Sequence, residues 1–285
     1  MARQCAAGIA SIIMLSRQLI NKRRNLYQTL DKVLGALKAL AYVESRKLQQ
    51  QAPLLGNISS HMQRAVQRLQ PAVVTQSPKH PALLIAIGSE RGFCGDLNSR
   101  ILAELEQLAQ PDTLIVCVGE KLRSRAEQRD MLFLNGANSS EDIEQVIDAI
   151  VSELLQLPAT VLTNSFLLYN SELKQRIDCL SLLPDARESA EALMYVPAPQ
   201  LLQQLLPLYL FALLNSVLSD ALLAENKQRL DHLESAVNHL DESMNTLNNS
   251  ANRLRQATII EGIEASLLAG EGVGEELPDV AFKQP

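Results

Sequence analysis

The sequence predicts a long antiparallel α-helical coiled coil, built from its N- and C-terminal segments, with a Rossmann-like α/β lobe inserted between them. Two heptad stripes near the chain ends predict the coil, and short apolar runs alternating with helical patterns between them predict the lobe. Aromatic residues make up only 4% of the 285 and Trp is absent, a bias that suits long helices better than a sheet-dominated core.

Residues 1–52 are expected to form the first coil helix. Apolar side chains fall at Leu26, Leu30, Val33, Leu37 and Leu40, steps of four, three, four and three that make a heptad seam. The first twenty residues superficially resemble a secretion signal, with Arg3 ahead of an apolar stretch. Ser11, Ser16 and Arg17 interrupt that stretch, so a helical extension is expected instead. Residues 53–80 read as a connecting region broken by Pro53, Pro71 and Pro78, with one short helix around His61 to Leu69.

Residues 81–196 read as the α/β lobe. The apolar runs Ala82 to Ile87, Thr113 to Val118, Met131 to Leu134 and Thr160 to Leu168 are continuous rather than alternating, as expected of strands covered on both faces. Helical patterns at Ile101 to Leu108 and Glu141 to Leu157 are long enough for the crossovers of a parallel sheet.

Residues 197–270 are expected to form the second coil helix, followed by a flexible tail over 271–285. Leu230, Leu233, Val237, Leu240, Met244, Leu247, Ala251 and Leu254 repeat the heptad without a break. No Pro or Gly lies between Leu208 and Glu261, so a helix from near Pro199 to about Ala269 would reach roughly 100 Å at 1.5 Å per residue. The most apolar segment, Leu201 to Leu223, contains Pro207, Asn215 and Asp220, which a bilayer centre would penalise; no transmembrane helix is expected.

A net charge of −6 and a pI near 5.4 argue against a nucleic-acid binder. Cys5, Cys94, Cys117 and Cys179 lie far apart, without the spacing of zinc ribbons or redox dithiols, and a reduced cytosolic protein is the plain reading. The turn from Gly92 to Gly95 follows a strand but lacks dinucleotide-binding spacing, and no Gly-Lys-Ser/Thr occurs anywhere. Cys94 has no histidine assigned beside it as a base, and His232 and His239 are seven apart rather than the usual four of helical metal pairs. No catalytic, cofactor-binding or metal-ligating residue is therefore expected.

Four segments carry a family resemblance. Gly88-Ser89-Glu90-Arg91-Gly92-Phe93-Cys94-Gly95-Asp96-Leu97-Asn98 resembles the Ser-Asp-Arg-Gly-Leu-Cys-Gly-Gly-Leu-Asn signature of the gamma subunits of F-type ATP synthases. Asn252 to Glu261 resembles that family's Asn-Lys-Ala-Arg-Gln-Ala-Ala-Ile-Thr-Glu pattern, and an ungapped register places Glu225 and Arg229 on the family's Glu and Arg. Tyr195 with Leu205 to Leu210, and Val43, Lys47 and Leu48, are similar to the start of the family's C-terminal helix and the end of its N-terminal one. Asp96 departs from the pattern where a second Gly is usual, as does Ser235 in place of a customary Asn. Such divergence suits a second, alternative F-type ATPase, of a proton- or a sodium-translocating kind, the ion being chosen by the membrane subunits.

The resemblance implies a central rotor shaft with no active site of its own, coupling ion flow to ATP synthesis or hydrolysis. Its implied partners are the alpha and beta subunits, an epsilon subunit and the membrane rotor ring of c subunits, at the cytoplasmic face of the plasma membrane. Arg253, Arg255 and Gln256 match positions that meet catalytic-subunit loops, and Lys38 and Lys47 place positive charge where acidic lever segments would pass. Arg91, Gly92, Cys94, Gly95 and Asn98 are expected to be structural members of the signature turn. The bland alternative for the cations is a solvated coil face, and for the whole chain a gamma-like helical scaffold without a rotary role.

Overall fold

A computed structural model describes residues 2–69, 81–124, 131–184 and 196–271, with side chains described except at 2–16, 159–160, 265 and 268–271. The elements in order are α1 (Ala2–Leu69), β1 (Leu83–Ile87), α2 (Leu97–Leu108), β2 (Leu114–Val118), α3 (Glu120–Arg123) and β3 (Leu132–Leu134). They continue with α4 (Ile143–Leu154), α5 (Ala159–Leu162), β4 (Ser165–Ser171), β5 (Arg176–Ser181) and α6 (Ala198–Glu271). The chain divides into two compact units, one of residues 36–234 and one drawn from residues 1–35 and 235–285.

The first unit is a three-layer α/β lobe. Its sheet runs β3-β2-β1-β4-β5, parallel except for the antiparallel β4–β5 hairpin. Every residue of β1 is buried, which explains its unbroken apolar run. Leu83, Ile85 and Ile87 share a core with Ile147 and Ile150 of α4, Leu48 and Val66 of α1, and Tyr209 to Leu223 of α6. Leu84 and Ala86 point the other way, onto Leu97, Ile101 and Leu105 of α2 and Leu122 of α3. The apolar stretch of α6 is, by length and composition, long enough to cross a membrane, but Tyr209, Leu214 and Leu222 are spent in this core.

The second unit is a pair of antiparallel helical segments. Arg17 donates from its terminal nitrogen to Thr258 Oγ1 at 3.1 Å, while Ile20 and Asn21 lie beside Ala251 and Leu254. The α6 stripe expected from the heptad is the less exposed one: Val237, Leu240, Met244, Leu247, Ala251 and Leu254 are all half-buried in a mostly exposed stretch.

Four expectations are corrected. Pro53 lies inside α1, so the first helix continues to Leu69 instead of ending at residue 52. An interior Pro costs about 3 kcal/mol through its lost hydrogen bond and ring clash, and the burial of Leu48, Ser59 and Val66 on either side offsets it. The N-terminal seam is displaced: Leu26, Leu30, Val33 and Leu40 are 55, 40, 50 and 47% exposed, whereas Tyr27, Leu34, Ala41 and Leu48, spaced by seven, are less exposed or buried. Counting large apolar residues misplaced this stripe because small Ala41 and Ser45 occupy it.

The run from Thr160 to Leu168 divides into α5 and β4, since Val161 N–H and Leu162 N–H both donate to the carbonyl of Pro158, opening a helical turn before the strand. Strand β5 had no counterpart in the sequence reading, because Arg176 and Asp178 break its apolar pattern, as charges on edge strands do. Part of the connecting region, Tyr195 and the tail over 272–285 lie outside the described residues.

Candidate functional site

The signature turn begins where β1 ends. Ser89 N–H donates to Asn98 Oδ1 at 3.0 Å and the Asn98 amide donates back to Ser89 Oγ at 2.7 Å, fastening the strand end to the first turn of α2. Both residues are buried, so the pair also satisfies groups that would otherwise be stranded away from water. Glu90 Oε2 accepts from Glu120 N–H at 2.9 Å and Gly136 N–H at 2.7 Å, tying the ends of β2 and β3 together. Arg91 Nε donates to Asn138 Oδ1 at 2.9 Å.

The turn itself needs left-handed backbone twice, at Phe93 (φ 66°) and Gly95 (φ 58°). Asp96, in place of the second signature Gly, has φ −91°, outside the left-handed region, so the turn does not require glycine there. Phe93, held in the left-handed region, is 54% exposed.

Arg229 of α6 clamps the turn. Its Nε donates to the carbonyl of Gly92 at 3.2 Å, one terminal nitrogen to Asn226 Oδ1 at 2.6 Å, and the other to Cys94 Sγ at 3.4 Å and to Glu225 Oε1. The Cys94 thiol lies 3.7 Å from the same Glu225 oxygen. Arg229 and Glu225 are both buried. Burial pushes Glu225 up to about 7 against the pull of Arg229, and pushes the Cys94 thiol to about 11, with the Glu225 charge adding to it. A thiol so raised and enclosed is a packing and hydrogen-bonding group rather than a nucleophile.

Doubly wound sheets take ligands beyond the carboxyl ends of their strands, where the strand order reverses. Here that place lies between β1 and β4, and α6 fills it: Leu218, Ala221, Leu222 and Glu225 close over Ile87, Gly88 and Asn170, leaving a cavity of about 20 Å³. That is room for about one water.

The structure gathers the signature residues Arg91, Gly92, Cys94, Gly95 and Asn98 in this one turn. The cations expected as partner contacts lie elsewhere. Lys38 Nζ is 3.3 Å from Glu234 and Lys47 Nζ is 3.2 Å from Glu141, each pair largely exposed. Arg253, Arg255 and Gln256 are exposed on α6, and among the described residues none of the three forms an ion pair. The roles of Glu90 and Asn138 were missed; Glu90 stands inside the recognised signature, but nothing near Asn138 announced its bond to Arg91.

Residues 16–264 match the family model described as ATP synthase. The chain is 24% identical over 274 residues to an ATP synthase gamma chain of Halothermothrix orenii, covering 86% of this chain and 94% of that one. A gamma chain of Lachnoclostridium phytofermentans is 24% identical over 295 residues, covering 90% and 98%. Among solved structures, a chain of the Euglena gracilis mitochondrial ATP synthase (OSCP/F1/c-ring) superposes with a TM-score of 0.62 at 16% identity, covering 96% of this chain and 100% of that chain. One from the central stalk and c-ring of the Tetrahymena thermophila enzyme gives 0.55 at 19% identity, covering 72% and 99%. With a matched span this long, the chain belongs to the ATP synthase gamma family.

Proposed function

We propose that the chain is the central shaft of an F-type ATP synthase, a non-catalytic subunit that couples ion flow through a membrane sector to ATP synthesis or hydrolysis in a head of alpha and beta subunits. Family membership over residues 16–264 carries this reading. The fold supports it, because two helices of 68 and 74 residues are far longer than the lobe needs for its own core. The filled crevice at the strand ends fits a lobe that supports and does not catalyse. A helical scaffold without a rotary role is the less favoured reading, since the relatives are gamma chains of the synthase.

A shaft shifts the populations of open and closed catalytic subunits only through a difference in its contact free energy with the two forms. Arg255 and Gln256, exposed and without an ion pair among the described residues, are the proposed contacts, with Arg253 beside them; guanidinium forks suit carboxylates on partner loops. Lys38 and Lys47 are weaker candidates, since a partner carboxylate must compete with Glu234 and Glu141. The lobe and lower helices would meet an epsilon subunit and the c-ring, at the cytoplasmic face of the membrane. The transported ion, proton or sodium, would be set by the membrane subunits.

The test is co-expression with the alpha and beta subunits of the same genome, purification through a tag on this chain, and an ATP hydrolysis assay. An active complex, with activity reduced by Arg255→Ala and Gln256→Ala, is expected. Failure to recruit soluble, folded beta subunit would overturn the shaft reading.

A further inference from the structure

In a chain of net charge −6, one stretch of the helical pair carries charge of a single sign. Residues 17–30 of α1 and 243–260 of α6 contain no Asp or Glu, while Arg17, Lys22, Arg23, Arg24, Arg253 and Arg255 fall within them, all exposed. Among the described residues none of these cations pairs with a carboxylate. Farther along α1, by contrast, Lys38 has Glu234 beside it.

Within this stretch α1 and α6 border a groove of about 350 Å³ lined by Arg17, Ile20, Asn21, Ala251, Leu254 and Arg255. Ile20, Ala251 and Leu254 are half-buried and supply its apolar part, and each helix adds an arginine. Arg17 is positioned without being neutralised. Its terminal nitrogen donates to Thr258 Oγ1 at 3.1 Å, and that hydroxyl donates in turn to the carbonyl of Leu254 at 2.8 Å. A neutral hydroxyl orients the guanidinium across the two helices but leaves its charge, and the other N–H groups of the fork, free for a carboxylate. A side chain already held in place also loses less rotamer freedom on binding.

The chemistry selects an acidic peptide segment. A phosphate backbone would be held off by the overall negative charge, and residues 17–24 and 251–258 offer no aromatic side chain for bases to stack on. Two guanidinium groups lining one groove repel each other, a cost that a carboxylate between them removes. The apolar part suits an aliphatic side chain next to that carboxylate.

We infer that Arg17 is a partner-contact residue: with Arg255 it flanks a groove that receives a segment of an alpha or beta subunit in which an Asp or Glu adjoins an aliphatic residue. The inference rests on the shaft reading and adds to it a contact from the N-terminal helix.

The test uses the complex of this chain with the alpha and beta subunits. Arg17→Lys places an amine at the groove, and a zero-length carbodiimide joins an amine only to a carboxylate that it touches. Mass spectrometry of the treated complex is expected to find position 17 joined to an Asp or Glu of an alpha or beta subunit. Arg17→Glu should weaken binding of the head by about tenfold, and by more than Arg17→Met does, because it sets like charges against each other. Assembly without any link from position 17 to those subunits, or head binding equal in Arg17→Glu and the parent, would overturn the inference and leave the shaft reading intact. A link between two copies of this chain would assign the groove to self-association and overturn it as well. Failure of the parent chain to assemble would overturn the shaft reading and this inference with it.

Discussion

A Cβ on Gly95 would stand 2.4 Å from Nε2 of His232, so the backbone of the signature turn rests directly against a side chain of α6. The same glycine sits at φ 58°, so two costs meet at one position. Gly95→Ala is expected to destabilise the chain by about 1–3 kcal/mol, part from left-handed backbone and part from the imidazole. In a denaturant-melt cycle, His232→Ala should recover the steric part and leave the backbone part. Full recovery would show that the φ costs nothing; no recovery would show that the imidazole simply moves aside.

Arg229 holds four acceptors across the turn and its own helix, and its loss leaves Glu225 buried without a counter-charge. Arg229→Met is expected to cost about 3–5 kcal/mol, and adding Glu225→Leu should return much of that, because a buried ion pair is held together more by the penalty for breaking it than by net attraction. Urea midpoints of the single and double variants decide it. A double variant no more stable than Arg229→Met would mean that the bonds to Gly92 and Cys94 carry the stability.

The parts of this architecture with strong local signals were legible in the sequence. Strand β1 announced itself because both faces are buried, and the α6 seam because Leu230 to Leu254 is apolar at every heptad step. Expectations failed where tertiary packing outvoted local pattern. Helix α1 continues through Pro53 because Leu48 and Val66 are anchored in the lobe, and β5 pairs with β4 although its charges mask it. At the site, the sequence singled out Glu225 and Arg229, but their contacts with Cys94 and the carbonyl of Gly92 join segments far apart in the chain, which no one-dimensional pattern encodes.

Glu225 gives the lobe a pH dependence of definite sign. Its ordinary value of 4.5 rises to about 7 on folding, so the folded chain holds the proton more tightly than the unfolded one. Its contribution to stability is therefore full below about 4.5 and is lost as the pH rises through about 7. Asp220, also raised by burial, acts in the same direction and remains in the variant. Glu225→Gln should accordingly show a smaller loss of stability between about pH 5 and pH 8 than the parent, without becoming flat. Parallel curves for the two proteins would mean that Arg229 keeps this carboxylate ionised throughout.

The displaced seam of α1 separates apolar residues that stabilise the helices from apolar residues that merely face outward. Leu233 of α6 is fully buried on the expected stripe, whereas Leu30 of α1, equally apolar and also at a heptad step, is 40% exposed. Truncating a buried leucine removes its transfer free energy and leaves a cavity, so Leu233→Ala should cost about 2–5 kcal/mol. Leu30→Ala leaves no enclosed cavity and should cost less than about 1 kcal/mol. Guanidinium melts of the isolated chain measure both. Equal losses would place Leu30 in a packed seam after all, and with it Leu26 and Val33. A negligible loss at Leu30 leaves those three leucine and valine side chains as surface that the isolated chain has no use for, which is the condition of a shaft whose outer face is covered only when the head assembles around it.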